Sequence, residues 1–270
     1  MLLGATYGRT LRWLAVTWLG NPYYSHGLLV PIIAGVLAWY GWRRAGRETG
    51  TTPSWPDLLA GGLLVAVSLA AHLVALRRSL WVLSAGSLVA AIAGLTLALG
   101  GRATLRRHAF PIGFLLLMIP LPWLEQWTPA LARAMAAAAR AVVVPLGVPI
   151  TVQGARVELA DTAMVIGAPC SGVNSLAALV TLAALYAYLV RGPLPARIAL
   201  VLLAVPVALL ANLMRLVVIL LLARYVSAEV ALGFFHDWSS PFLFLVALAL
   251  LIALGKGLGC RGSILDTPSS

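Results

Sequence analysis

Apolar runs long enough to cross a lipid bilayer recur along this chain, separated by short connections that carry most of its arginines. A hydrocarbon core about 30 Å thick takes about 20 apolar residues per helix. Runs of that order occupy residues 27–42, 57–76, 79–99, 108–124, 172–190, 198–222 and 241–258, with an N-terminal stretch as a candidate eighth. No segment shows the alternating pattern of a membrane barrel, so the spans are read as helices. The expected fold is an all-α polytopic membrane bundle of about seven to eight helices, in one integral-membrane domain over residues 1–265 with a disordered tail at 266–270. Pro206, inside the 198–222 run, either kinks one helix or divides it in two.

Hydrophobic residues form 61% of the 270 and charged residues only 10%, which excludes a water-soluble core with an ordinary polar surface. The net charge of +11 resides mainly in the connections. There arginines orient helices, so the basic balance is no sign of nucleic-acid binding. Arg43, Arg44 and Arg47, then Arg102, Arg106 and Arg107, then Arg191 and Arg197, then Lys256 and Arg261 all fall on the cytoplasmic side of one alternating path. The pair Arg77-Arg78 falls outside, against the rule. No cleavable signal peptide is expected, because Arg9 and Arg12 precede only a short apolar stretch.

The same path puts the long connection 125–171 and the connection 226–240 outside. Within the first, an alanine-rich helix over 127–144 carries Arg133 and Arg140 on one face, as in a surface-lying helix, a cavity lining or an ordinary solvated face. After Pro145 and Pro149, alternating residues 151–165 predict a small extracytoplasmic hairpin. It delivers the chain to Cys170.

Cys170 stands in a small, polar turn that opens into an apolar helix, and a helix N-terminus favours the thiolate. Ser171 and Gly172 offer backbone N–H groups toward a developing oxyanion. Taken alone, the thiol reads equally as a small hydrophobe in a turn. Arg215 is surrounded by apolar residues, 18 residues beyond Arg197, hence about 27 Å along a helix. That brings it near the outer interface and the level of Cys170, where it either faces protein and substrate or snorkels to headgroups. Asn212 lies one turn earlier on the same face. His236, before the last run, is either a proton carrier or an interfacial anchor among aromatics. His26, after Tyr23 and Tyr24, lines the same outer pocket or belongs to an aromatic belt. His72 and His108 have no reactive neighbours in sequence, and the other cysteine, Cys260, falls on the opposite side from Cys170, which excludes a disulfide between them. No metal or other cofactor is expected, since carboxylates are few and no Cys/His ligand cluster occurs.

Four motifs in order resemble the exosortase/archaeosortase family of multi-pass membrane cysteine proteases and transpeptidases: Tyr24-Ser25-His26-Gly27, Pro169-Cys170-Ser171-Gly172 with Ser175-Leu176, Asn212 with Arg215, and Phe234-Phe235-His236-Asp237-Trp238. The resemblance runs from residue 24 to the last span. It implies Cys170 as nucleophile, Arg215 as the residue that orients or stabilises the acyl group, and His236 as acid and base. It further implies secreted substrates bearing a C-terminal sorting tail of the PEP-CTERM kind, a short motif followed by a transmembrane helix and a basic cluster, in a setting of exopolysaccharide and surface-protein sorting. The chain departs from the pattern at Ser240-Pro241, where a glycine commonly follows the histidine motif; this bears on substrate subtype. Two other classes fit an apolar, polytopic chain. A transporter or polysaccharide-export component would carry buried carboxylates and repeated broken helices, and neither is evident. A membrane acyltransferase would use the cysteine as an acyl carrier.

Overall fold

The computed structural model describes residues 2–44, 53–159, 162–165, 172–231, 233 and 236–263. The chain divides into two compact units, Met1–Leu121 and Pro122–Ser270, each described by itself. Among the described residues, four segments are long and apolar enough to cross a membrane, Pro22–Arg44, Trp55–Arg78, Trp81–Met118 and Leu194–Tyr225, and two shorter apolar helices, Val173–Leu189 and Pro241–Gly257, accompany them. Leu63, Leu99, Leu202, Leu210 and Phe242 stand more than half exposed on these helices, an arrangement that suits lipid rather than water.

The first unit comprises α1 (Leu2–Thr6), α2 (Gly8–Gly20), a 3₁₀ turn (Pro22–Leu28), α3 (Leu29–Arg44), α4 (Trp55–Arg78) and α5 (Trp81–Phe114). The apolar runs at 79–99 and 108–124 fall in two helical arms within Trp81–Met118, separated at Gly101, whose φ of 71° and ψ of 178° only glycine adopts at low cost. The arginine-bearing stretch 102–107, expected as the connection between them, is helical and opens the second arm.

Each arm of α5 has its own partner. The arm before Gly101 runs antiparallel to α4 at the closest backbone approach of the unit: a Cβ on Gly61 would stand 2.5 Å from the Ala98 nitrogen and 2.6 Å from the Gly94 carbonyl oxygen. Small residues let membrane helices touch in this way, where dispersion must replace the hydrophobic effect. At the same end an Arg102–Asp57 ion pair of 2.8 Å joins the two helices. The arm after Gly101 meets α3, where His108 Nε2 lies 3.2 Å from the Ala38 carbonyl oxygen and Gly41 faces Arg107. The stretches bearing Arg43–Arg44 and Arg102–Arg107 therefore share one end of the unit.

The amphipathic α2 buries Thr10, Leu14 and Trp18, one turn apart, and it is held by polar contacts. Thr10 Oγ1 lies 2.6 Å from Ser84 Oγ, Ser84 Oγ lies 2.8 Å from His72 Nδ1, and the other His72 nitrogen lies 3.1 Å from the Thr6 carbonyl oxygen. Tyr7 stacks on the His72 ring at 4.0 Å and reaches Ser87 Oγ at 3.2 Å.

The second unit comprises α6 (Pro122–Gln126), α7 (Thr128–Val143), β1 (Ile150–Gln153), β2 (Arg156–Leu159), β3 (Thr162–Val165), α8 (Val173–Leu189), β4 (Val190–Arg191), α9 (Leu194–Tyr225), α10 (Ala228–Val230), α11 (His236–Gly257) and β5 (Arg261–Ser263). The stretch expected as a small hairpin around Ala160-Asp161 is a three-stranded antiparallel meander, β1-β2-β3, in which Val152 pairs with Val157 and Val157 with Met164; Ala160 and Asp161 themselves lie outside the described residues. Ile150, Val157 and Leu159 pack with Met135, Ala136 and Ala139 of α7 and with Leu216 and Leu220 of α9. The apolar stripe of α7 is thus spent on this core, and Arg133 and Arg140 lie on its exposed face.

Pro206 does not divide the 198–222 run. α9 is one helix of 32 residues through it, as transmembrane helices permit when neighbours cover the freed carbonyl. Leu179 and Ala183 of α8, Leu200, Ala204 and Val207 of α9, and Ala247 and Leu251 of α11 form a second core, closed at one end by the buried Cys260. Cys260 is a free thiol at 1% exposure. The expected disordered tail, 266–270, lies outside the described residues.

Candidate active site

α8, α9 and α11 leave a cleft between them. It is lined by Ser175 and Leu179 of α8, Ala208, Ala211, Asn212 and Arg215 of α9, and Leu243, Phe244 and Ala247 of α11. Most of this lining is apolar, and the polar groups are Ser175, Asn212 and Arg215 alone. Spacing explains the set. Ala208, Ala211, Asn212 and Arg215 recur at three and four residues, hence on one stripe of a continuous helix, and the two alanines leave the room that the larger polar residues use.

Arg215 is 4% exposed and Asn212 likewise 4%. The snorkelling alternative for Arg215 is therefore set aside: its side chain is enclosed by protein. An enclosed guanidinium costs several kcal/mol unless its donors are engaged, so the site holds a strong, positioned positive charge in low-dielectric surroundings. The cavity is about 20 Å³, the space of one water-sized group.

Gly172 connects this stripe to the turn that precedes α8. It is the residue at the N-terminal end of α8, with φ of 87°, and a Cβ there would lie 3.0 Å from Asn212 Cγ and Nδ2. The left-handed backbone and the contact both demand glycine. The described end of the turn is thereby seated on Asn212, one helical turn from Arg215. Gly172, having no side chain, makes no side-chain cap at the N-terminus of α8.

The other residues singled out in sequence are distributed as follows. Cys170 and Ser171 lie outside the described residues, as does the side chain of His236, whose backbone opens α11. His26 is in the first unit, in the 3₁₀ turn before α3, half-buried, with its ring bonded to the Leu117 carbonyl and its Nδ1 without a hydrogen-bond partner. Ser175 and Phe244 line the cleft although the sequence reading gave them no part in it; Ser175 belongs to the quoted motif and lies one turn inside α8. His72, which has no reactive company in sequence, sits in the Thr10–Ser84–Tyr7 network, where every ring nitrogen is satisfied. Its signal was the stripe Ser68, His72, Ser84 and Ser87 at helical spacings. Among the described residues no three His, Cys, Asp or Glu side chains cluster as metal ligands would.

Apolar helices of spanning length, lipid-facing leucines and an enclosed arginine cleft define a multi-pass α-helical membrane protein. The family model for transmembrane exosortase, Exosortase_EpsH, matches residues 18–253, which takes in both units, and the chain belongs to that family. No curated protein and no solved structure gives a significant match.

Proposed function

We propose that this chain is a membrane-embedded cysteine protease or transpeptidase that cleaves the C-terminal sorting tails of secreted proteins, with its reaction centre at the extracytoplasmic face of the cell membrane. The observation that carries this reading is the enclosed Arg215–Asn212 stripe against Gly172, within a chain of the exosortase family.

Cys170 thiolate attacks the scissile carbonyl carbon, forming a C–S bond and an oxyanion. Arg215 and backbone N–H groups near Ser171 stabilise that charge. As the intermediate collapses, the C–N bond breaks, and His236 returns to the departing amine the proton it took from the thiol. A thioester on Cys170 remains and the tail is released. Water then regenerates the thiol with a free carboxylate, or an amine does so with a new amide. The bilayer itself is a reactant environment, because the substrate is presented by its own transmembrane helix.

The test is processing of a tailed substrate in cells, with thioester trapping. Cys170→Ala, Arg215→Ala and His236→Ala are each expected to insert and fold yet to leave the substrate uncut, and wild-type protein is expected to yield a peptide adduct on Cys170. Full processing by Cys170→Ala ends the proposal. A fatty acyl adduct in place of a peptide would make the protein an acyltransferase.

A further inference from the structure

At the end of α8 and α11 remote from Arg215 along α9, the second unit has a larger cavity of about 660 Å³. It is lined by Tyr186, Leu189, Val190, Ile252, Lys256, Cys260, Arg261 and Gly262, and its size falls in the ordinary range for small-molecule sites, about 300–1,000 Å³. Its walls differ in kind. Leu189, Val190 and Ile252 are apolar, whereas Lys256 and Arg261 bring two positive charges and Tyr186 a hydroxyl, here 3.4 Å from the Ile252 carbonyl oxygen.

Positive charge gathers around this cavity. β4 and β5 pair antiparallel so that Arg191 stands directly opposite Arg261, an arrangement of like charges that costs free energy in a ladder. Arg197 comes to the same end, its Nε donating to the Ala187 carbonyl at the last turns of α8. Among the described residues that line the cavity, Lys256 and Arg261 are charged and none is acidic. The positive-inside bias accounts for basic connections, but it requires neither their pairing in a sheet nor a cavity between them.

We propose that this cavity is a binding site for an anionic phospholipid, whose phosphate lies between Lys256 and Arg261 beside Arg191 and whose proximal acyl chain runs along Leu189, Val190 and Ile252. Juxtamembrane basic pockets between helices hold such headgroups. A free anion would satisfy the charges but leave the apolar wall uncovered, and a basic peptide would be repelled, so the mixed lining commits the site to a lipid. Assigning that lipid to the cytoplasmic leaflet rests on the orientation in the proposed function; the binding itself does not. Bound there, the lipid would fix the depth of α8 and α11, two of the three helices that carry the cleft.

The experiment is native mass spectrometry of the full-length protein in detergent, titrated with phosphatidylglycerol, phosphatidylcholine and inorganic phosphate. Phosphatidylglycerol is expected to bind wild type at least about tenfold more tightly than phosphatidylcholine, and Lys256→Gln with Arg261→Gln to remove at least about tenfold of that affinity. The charge-conserving pair Lys256→Arg with Arg261→Lys should retain it, which separates a lost site from a lost fold. Ile252→Trp, which fills the apolar wall, should weaken the lipid as well. Unchanged phosphatidylglycerol binding in the Gln pair overturns the proposal. So does displacement of the lipid by inorganic phosphate at equal concentration, which would make the cavity a plain anion site. Cys170→Ala should bind the lipid as wild type does, so a failed protease assay and a failed lipid site are told apart.

Discussion

Gly172 and Asn212 are in contact through an atom that glycine lacks: a Cβ at position 172 would lie 3.0 Å from the Asn212 side chain, on a backbone already at φ 87°. Gly172→Ala must therefore strain the turn or displace Asn212, at a cost of about 1–3 kcal/mol. We expect the variant to fold with a lowered Tm and to lose at least about tenfold in substrate processing. Asn212→Ala removes the atoms met first, so in the double variant the two losses should be less than additive. Strict additivity in a double-mutant cycle would show that the contact does not couple the turn to the cleft.

Arg215, at 4% exposure, faces the same stripe. Its planar fork can donate two parallel hydrogen bonds, which a lysine cannot, so Arg215→Lys keeps the charge and loses the geometry. If it steadies an oxyanion, processing should fall about 10²–10³-fold in Arg215→Lys with the thermal transition preserved. A Lys variant that cuts at the wild-type rate would reduce Arg215 to a structural charge.

Much of this was legible in sequence because membrane helices announce themselves by length and apolarity, and the 198–222 run, the α4 run and the terminal run were all placed to within a few residues. What failed was punctuation. Gly101 alone, rather than the whole arginine connection, separates the two arms of α5, because arginine, alanine and leucine in 102–107 are good helix formers. Pro206 leaves α9 a single helix, and sequence alone left open whether it would kink or divide the run. The meander's first turn, at Gly154-Ala155, went unread, since the alternation of 151–159 runs on across it. The Asn212–Arg215 stripe was visible at helical spacing, whereas Phe244 entered the cleft through a tertiary contact that spacing cannot report.

Gly61 and Gly62 are neighbours with opposite demands. A Cβ at Gly61 meets Ala98 and Gly94 backbone below 3.0 Å, while one at Gly62 meets nothing within 4 Å. Gly61→Val should cost about 1–3 kcal/mol through overpacking and lower the yield of monodisperse protein. Gly62→Ala should be neutral or slightly stabilising, since it only restricts the unfolded chain. Size-exclusion profiles and Tm values of the two variants check the pair, and equal damage would refute the close α4–α5 approach.

His72 ties the N-terminal helices to α4 and α5 through Ser84 and the Thr6 carbonyl. His72→Ala leaves those buried groups short of partners, a cost of about 1–3 kcal/mol. The expected outcome is faster limited proteolysis near Tyr7 and Thr10, while the α8–α9–α11 unit stays protected. His72→Gln, which offers both a donor and an acceptor, should restore part of the protection. An unchanged cleavage pattern in His72→Ala would mean that apolar contacts such as Leu14 hold α2 by themselves.

Thiol labelling is the direct route to orientation, but burial changes which thiol can report. Cys260 is 1% exposed and lies under Gly192, where a Cβ would come within 2.8 Å of Sγ, so its failure to react says nothing about its side of the membrane. A cysteine at the exposed Arg191 as the one thiol of a Cys170→Ala, Cys260→Ser background, beside Cys260→Ser alone to report on Cys170, removes that ambiguity because β4 presents the position to solvent. With the proposed orientation, a membrane-impermeant maleimide on intact cells should modify Cys170 and spare Arg191→Cys until the membrane is opened. Labelling of Arg191→Cys in intact cells would turn the protein over and place the Arg215 cleft at the cytoplasmic face, where no secreted tail could reach it.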